Sequence, residues 1–151
     1  MDNIFEYLKY VYSLIIAMLS CFLGEHWILF ILYLTLNIID TFTGWAKARI
    51  LNKESSKVAM IGIIRKMCYW VLILVAFLIP IIFQEIGSVI GIDFSVTIIL
   101  GWFVVASLII NECRSILENL VEAGCQVPNF LIKGLEVTAK KLEEIEDKEN
   151  E

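Results

Sequence analysis

The sequence predicts an all-α integral membrane protein with four transmembrane helices, or three if the first apolar run does not cross, and a cytoplasmic amphipathic helical tail. Three observations predict this fold class. First, 59% of the 151 residues are hydrophobic and the mean hydropathy is +0.79, whereas soluble domains average ~45–50% apolar. Second, the chain contains long runs almost free of charge. Third, the charges that remain are segregated: residues 112–151 carry ten acids and five bases, which accounts for the whole net charge of −5.

The runs define the elements in order. Residues 10–24 carry no charge, 26–46 carry only Asp40, 67–92 only Glu85, and 94–111 none. A helix needs ~20 apolar residues to cross a ~30 Å hydrocarbon core. Spans are therefore expected at about 8–24, 27–46, 67–86 and 94–111. The first is short and could instead lie as a shallow or re-entrant helix. It is not expected to be a signal peptide, because Asp2 and Glu6 precede it with Lys9 as the only base and no small-x-small site follows Gly24.

Orientation follows from the bases. Lys47, Arg49, Lys53, Lys57, Arg65 and Lys66 fall between the second and third runs, against the single acid Glu54. The positive-inside rule puts this basic loop, 47–66, in the cytoplasm. Four spans then put both termini there too, and neither outer loop carries a base. The six bases are candidates for contact with anionic headgroups at ~1 kcal/mol each, although the topology signal alone would account for them. Ser55 or Ser56 is a suitable N-cap for a helix leading into the third span.

After residue 111 the pattern turns amphipathic. Ile109, Ile110, Cys113, Ile116, Leu117, Leu120 and Val121 recur at three- and four-residue spacing, and Glu112, Ser115, Glu118, Asn119 and Glu122 take the other face. The tail, 112–142, is expected to continue the fourth span. Within it Ile116, Leu117, Glu118, Leu120 and Val121 are candidates for self-association. Gly124 reads as a helix stop and Pro128 as the next start. A last helix at about 129–146 is supported by Lys140 and Glu144 at i,i+4. The acidic end, 143–151, is expected to fray because its charges oppose the helix dipole.

Few residues suggest chemistry. The cysteines Cys21, Cys68, Cys113 and Cys125 form no CxxC pair, and His26 is the only histidine, so no metal or other cofactor is expected. There is no GxSxG, HExxH or Walker loop. The chain is not expected to be an enzyme, and no basic surface is free for nucleic acid. Asp40 is the most informative polar residue, since an acid at the centre of a membrane helix costs ~2.5–3.5 kcal/mol. It shares a helix face with Asn37, Thr41 and Gly44. That face could pack on another helix, carry a gating function, or let Asp40 snorkel to Lys47 or Lys66. Pro80 should kink the third span, and Gly101 offers a close-packing site. Trp27, Trp45, Tyr69 and Trp70 sit near expected interfaces, whereas Trp102 is deeper and reads as a packing residue.

Asp40-Thr41-Phe42-Thr43-Gly44, the following bases, Ser55-Ser56-Lys57, Gly62 and Arg65-Lys66 resemble the core of the phage lysis and toxin-secretion holins. Asn111-Glu112, the Ser-Ile-Leu-Glu-Asn run at 115–119, Gly124, Val127-Pro128 and Leu131 resemble that family's segment after its last span. The likeness covers roughly 30–140 in one collinear register. It implies a homo-oligomer in the bacterial cytoplasmic membrane that opens lesions and releases an endolysin or a large toxin, with an antiholin as a further partner and no catalytic residues. The competing readings are a small ion channel or transporter subunit, and an antiholin that restrains a holin partner.

Overall fold

The structure, a computed structural model, describes residues 6–7, 9–14, 16–17 and 26–149. The described residues before position 18 are helical; the rest of the first expected span, including 18–24, lies outside the described residues. Four helices follow: α1 (Trp27–Ile50), α2 (Ser56–Ile90), α3 (Ile98–Glu122) and α4 (Asn129–Glu149), with a short 3-10 turn, Ser95–Thr97, leading into α3. No strand occurs among the described residues. Three helical segments are long and apolar enough to cross a membrane: Trp27–Ile50, Ser56–Ile90 and Ser95–Glu122.

The helices outrun the apolar segments that predict them. Hydropathy marks only the part of a helix that suits hydrocarbon, while backbone hydrogen bonding continues until a cap ends it. The basic stretch at 47–66 is therefore mostly helix. α1 runs on to Ile50 and α2 begins at Ser56, with Ser55 as N-cap accepting from Val58 N. Only residues 51–55 connect them, and Asn52 there takes a positive φ of 52°. α2 continues without a break through Pro80, which is buried. α4 extends to Glu149, beyond the expected end near 146. The expected Lys140–Glu144 pair is not among the ion pairs of the described residues, whereas Arg114 and Glu118 on α3 do pair at i,i+4, 3.0 Å apart.

Two glycines end helices. Gly91 closes α2 at φ 78°. Beyond α3, Gly124 at φ 89° lets Cys125 N donate to Leu120 O and Gly124 N to Val121 O. These two bonds form a Schellman motif and satisfy carbonyls the helix would leave free. The chain then turns through Pro128 and returns as α4.

α3 is the central element, packing against α1, α2 and α4, while α1 and α2 touch each other little. The core is small: Phe30 and Tyr33 of α1, Ile73 of α2, and Val105 and Leu108 of α3. Trp102 packs at its edge against Phe77, ring centroids 5.1 Å apart, and against His26. At most 22% of each apolar window is buried within the protein. Exposed apolar surface on that scale needs a covering other than water, and three helices of this length and composition fit a bilayer.

Candidate functional site

At one level of the bundle the apolar packing gives way to a polar cluster contributed by three helices. Asp40 projects from α1, Lys66 from α2, and Glu112 and Asn119 from α3. Lys66 Nζ lies 3.0 Å from Asp40 Oδ2 and also pairs with Glu112 Oε2. Asn119 Nδ2 donates to the second oxygen of Asp40 at 3.0 Å and approaches Thr43 Oγ1 at 3.4 Å. Glu112 is 3% exposed and Asn119 7%. One helical turn further along, Lys47 of α1 meets Glu122 of α3 at 3.5 Å in a more exposed pair.

Two carboxylates share one ammonium, so the cluster carries a formal charge of −1. Desolvating such ions costs several kcal/mol each, and only mutual attraction and full hydrogen bonding repay it. Asp40 satisfies this requirement: both its oxygens are engaged, by helices α2 and α3. The cluster thus ties α1 to α2, a pair that has little other contact, and fixes the register of all three helices. Above it, Asn37 Nδ2 bonds Tyr33 O at 2.7 Å, while Tyr33 OH and Asn37 Oδ1 are buried with no partner among the described residues.

The other sequence candidates fall in different places. Asn37 is buried inside the bundle, while Thr41 is exposed and returns its hydroxyl to Asn37 O. Gly44 faces Asn119, whose Nδ2 would lie 3.5 Å from an added Cβ. Gly101 packs under the Phe77 ring, 2.8 Å from an added Cβ. Gly44, Gly101, Asn37 and Asp40 are thus engaged within the protomer. Arg49, Lys53, Lys57 and Arg65 are exposed, and Arg49 lies over the Trp45 ring and pairs with Glu54. Lys66, grouped with these bases by sequence, is instead turned inward with its side chain 17% exposed. Of the tail candidates, Leu117, Glu118 and Val121 line a groove between α3 and α4, while Ile116 and Leu120 are half-buried.

Glu112 and Asn119, which the sequence pattern groups with the polar face of the tail helix, are the cluster members that sequence reasoning did not single out. Their spacing held the signal. Gly101, Val105, Leu108, Glu112 and Asn119 are the buried residues of α3 and follow a single stripe at steps of four, three, four and seven. Reading that stripe as inward requires knowing that α1 and α2 offer partners for it.

The sequence profile of the bacteriophage holin family matches residues 17–140, a range that includes the entire cluster. The chain belongs to the bacteriophage holin family. A probable holin of Bacillus phage phi105 is 33% identical over 106 residues, covering 70% of each chain. An uncharacterised protein of Halalkalibacterium halodurans is 32% identical over 130 residues, 86% of this chain and 92% of the other. No solved structure matches the chain. As a holin-family protein with three helices suited to crossing a bilayer, it is a membrane protein of phage lysis, and the polar cluster is the part of this holin-family bundle least explained by lipid contact alone.

Proposed function

We propose that this protein accumulates in the bacterial cytoplasmic membrane, oligomerises there, and opens lesions through which a cytosolic endolysin escapes. The observation that carries this reading is the holin-family match across the spans, the polar cluster and most of the tail. The physical arrangement supports it. Three helices are long and apolar enough to cross a bilayer, and Asp40, Lys66 and Glu112, one from each, are paired with one another inside the bundle. Such a protomer can diffuse in a bilayer until it meets copies of itself.

In the unassembled protomer the same reading puts Arg49, Lys53, Lys57 and Arg65 at the cytoplasmic surface beside anionic lipid headgroups, at ~1 kcal/mol each, while Lys47 is paired with Glu122. It also puts α4 and both termini in the cytoplasm. No catalytic step is required, because the work is done by assembly. A large secreted toxin would leave by the same route as an endolysin. Asp40, held at the junction of α1, α2 and α3, would tune the threshold at which an assembled protomer opens.

Timed lysis tests the proposal. The chain is expressed from a tight promoter in bacteria with and without a cytosolic endolysin, and turbidity and escape of a large cytosolic protein are followed. Abrupt lysis that needs the endolysin, with protein leakage and loss of viability in its absence, is the expected result. Ion leakage without protein escape would point to a small channel. No lesion, with delayed lysis by a co-expressed holin, would point to an antiholin.

A further inference from the structure

We propose that the groove between α3 and α4 of one protomer receives the first turns of α2, residues 57–65, of a second copy. The inference rests on the oligomeric holin reading and names the contact that would build the oligomer. The groove measures about 490 Å³. Its floor is apolar, with Leu117 and Val121 from α3 and Leu135 and Leu142 from α4. Its rim is acidic: Glu118, Glu136 and Glu143 line it, and the one rim base, Arg114, is already paired with Glu118 at 3.0 Å.

The start of α2 has the complementary character. Val58 is 69% exposed and Met60 62%, and Ile61 and Ile64 are exposed beside them. Lys57 and Arg65 bracket this apolar stretch and form no ion pair among the described residues. An apolar helix surface flanked by bases thus faces an apolar trough edged by acids. Burial of the aliphatic side chains supplies affinity, and the charges select partner and register.

Height in the membrane matches as well. Lys66 and Glu112 are paired, so they mark one level. The stretch 57–65 precedes Lys66, and the lower groove wall follows Glu112. Each extends about 15 Å beyond that level, on the same side, at 1.5 Å rise per residue. Two copies inserted with the same orientation therefore need only move laterally to join. The two surfaces differ, so a joined pair still has one free groove and one free α2 start. Heterologous contacts of this kind grow into rings or open arrays, which suits a lesion larger than any single protomer could line.

The test uses full-length protein with Cys21, Cys68, Cys113 and Cys125 changed to Ser. Met60→Cys is placed in a copy with one tag and Ala139→Cys in a copy with another. The two are co-expressed and their membranes treated with a short bifunctional maleimide. A product carrying both tags, absent when either variant is expressed alone, is expected. Glu136→Lys with Glu143→Lys in the groove copy should lower its yield about fivefold, the effect of ~1 kcal/mol, and Lys57→Glu with Arg65→Glu in the other copy should restore it. No mixed product, as when lipid covers both surfaces, overturns the contact. So does a product formed between two Ala139→Cys copies in place of the mixed one. Lysis measured in the same strains separates the two readings: lysis without mixed product rejects the contact alone, and mixed product without lysis rejects the holin function alone.

Discussion

Lys66 Nζ lies 3.0 Å from Asp40 Oδ2 and is bound by Glu112 as well, so a single ammonium on α2 is shared by carboxylates on both neighbouring helices. The side chains are 17% exposed at Lys66, 15% at Asp40 and 3% at Glu112. Removing the shared partner would leave two buried charges uncompensated, which is far more costly than never having had them.

Lys66→Met should accordingly destabilise the protein by about 3–5 kcal/mol, the usual cost of breaking a buried pair. Denaturation in detergent micelles measures it. The triple variant Lys66→Met, Asp40→Asn, Glu112→Gln should recover most of that loss, because a neutral cluster carries no ionic desolvation cost. A triple variant as unstable as the single one would show that packing, and not charge, governs this site.

Asn119→Ala removes the donor to Asp40 and Thr43 and should cost about 1–3 kcal/mol, since it leaves a buried carboxylate oxygen short of a partner. Glu122→Ala, by contrast, breaks a pair whose acid is 58% exposed. It should shift stability by less than about 1 kcal/mol. The same unfolding assay ranks the two.

The glycines should separate by local space. An added Cβ at Gly87 would meet Ile92 O at 2.2 Å, and at Gly101 the Phe77 ring at 2.8 Å. Gly87→Ala is expected to disrupt the outer turn most, because its obstacle is backbone. Gly101→Ala should cost about 1–3 kcal/mol and be partly rescued by Phe77→Leu. Gly44→Ala meets only ordinary contact with Asn119 and should be tolerated or gain up to ~1 kcal/mol in helix propensity. Thermal melting of the three variants would reveal the order.

Asp40→Asn and Asp40→Ala should advance the onset of lysis, because each loosens the tie between α1 and the α2–α3 pair. Turbidity after induction gives the onset, and cross-linking in membranes gives the oligomer size. Wild-type values for both variants would remove Asp40 from any role in opening.

Orientation is open to direct labelling. With the native cysteines replaced, Lys53→Cys in the α1–α2 connection should resist a membrane-impermeant thiol reagent applied to intact cells and react in inverted vesicles. The opposite pattern would reverse the proposed topology.

Much of this protein is legible from the order of its residues. Local rules decide where charge-free runs of membrane length fall, and they also place the Ser55 cap before α2 and the Gly124 stop after α3. Asp40 stands out because a lone acid in an apolar run is costly wherever it lies. Lys47 and Lys66 are its candidate partners by sequence; the tertiary structure decided for Lys66 and added Glu112 and Asn119. The partners of the cluster are 46 residues apart between Lys66 and Glu112 and 79 between Asn119 and Asp40, well beyond the reach of helical periodicity. Glu112 and Asn119 have the spacing of an outer polar face, yet they turn inward because α1 and α2 present an acid and a base at the same height. A helix pattern specifies which residues share a face; which face is buried depends on the partners that packing brings to it.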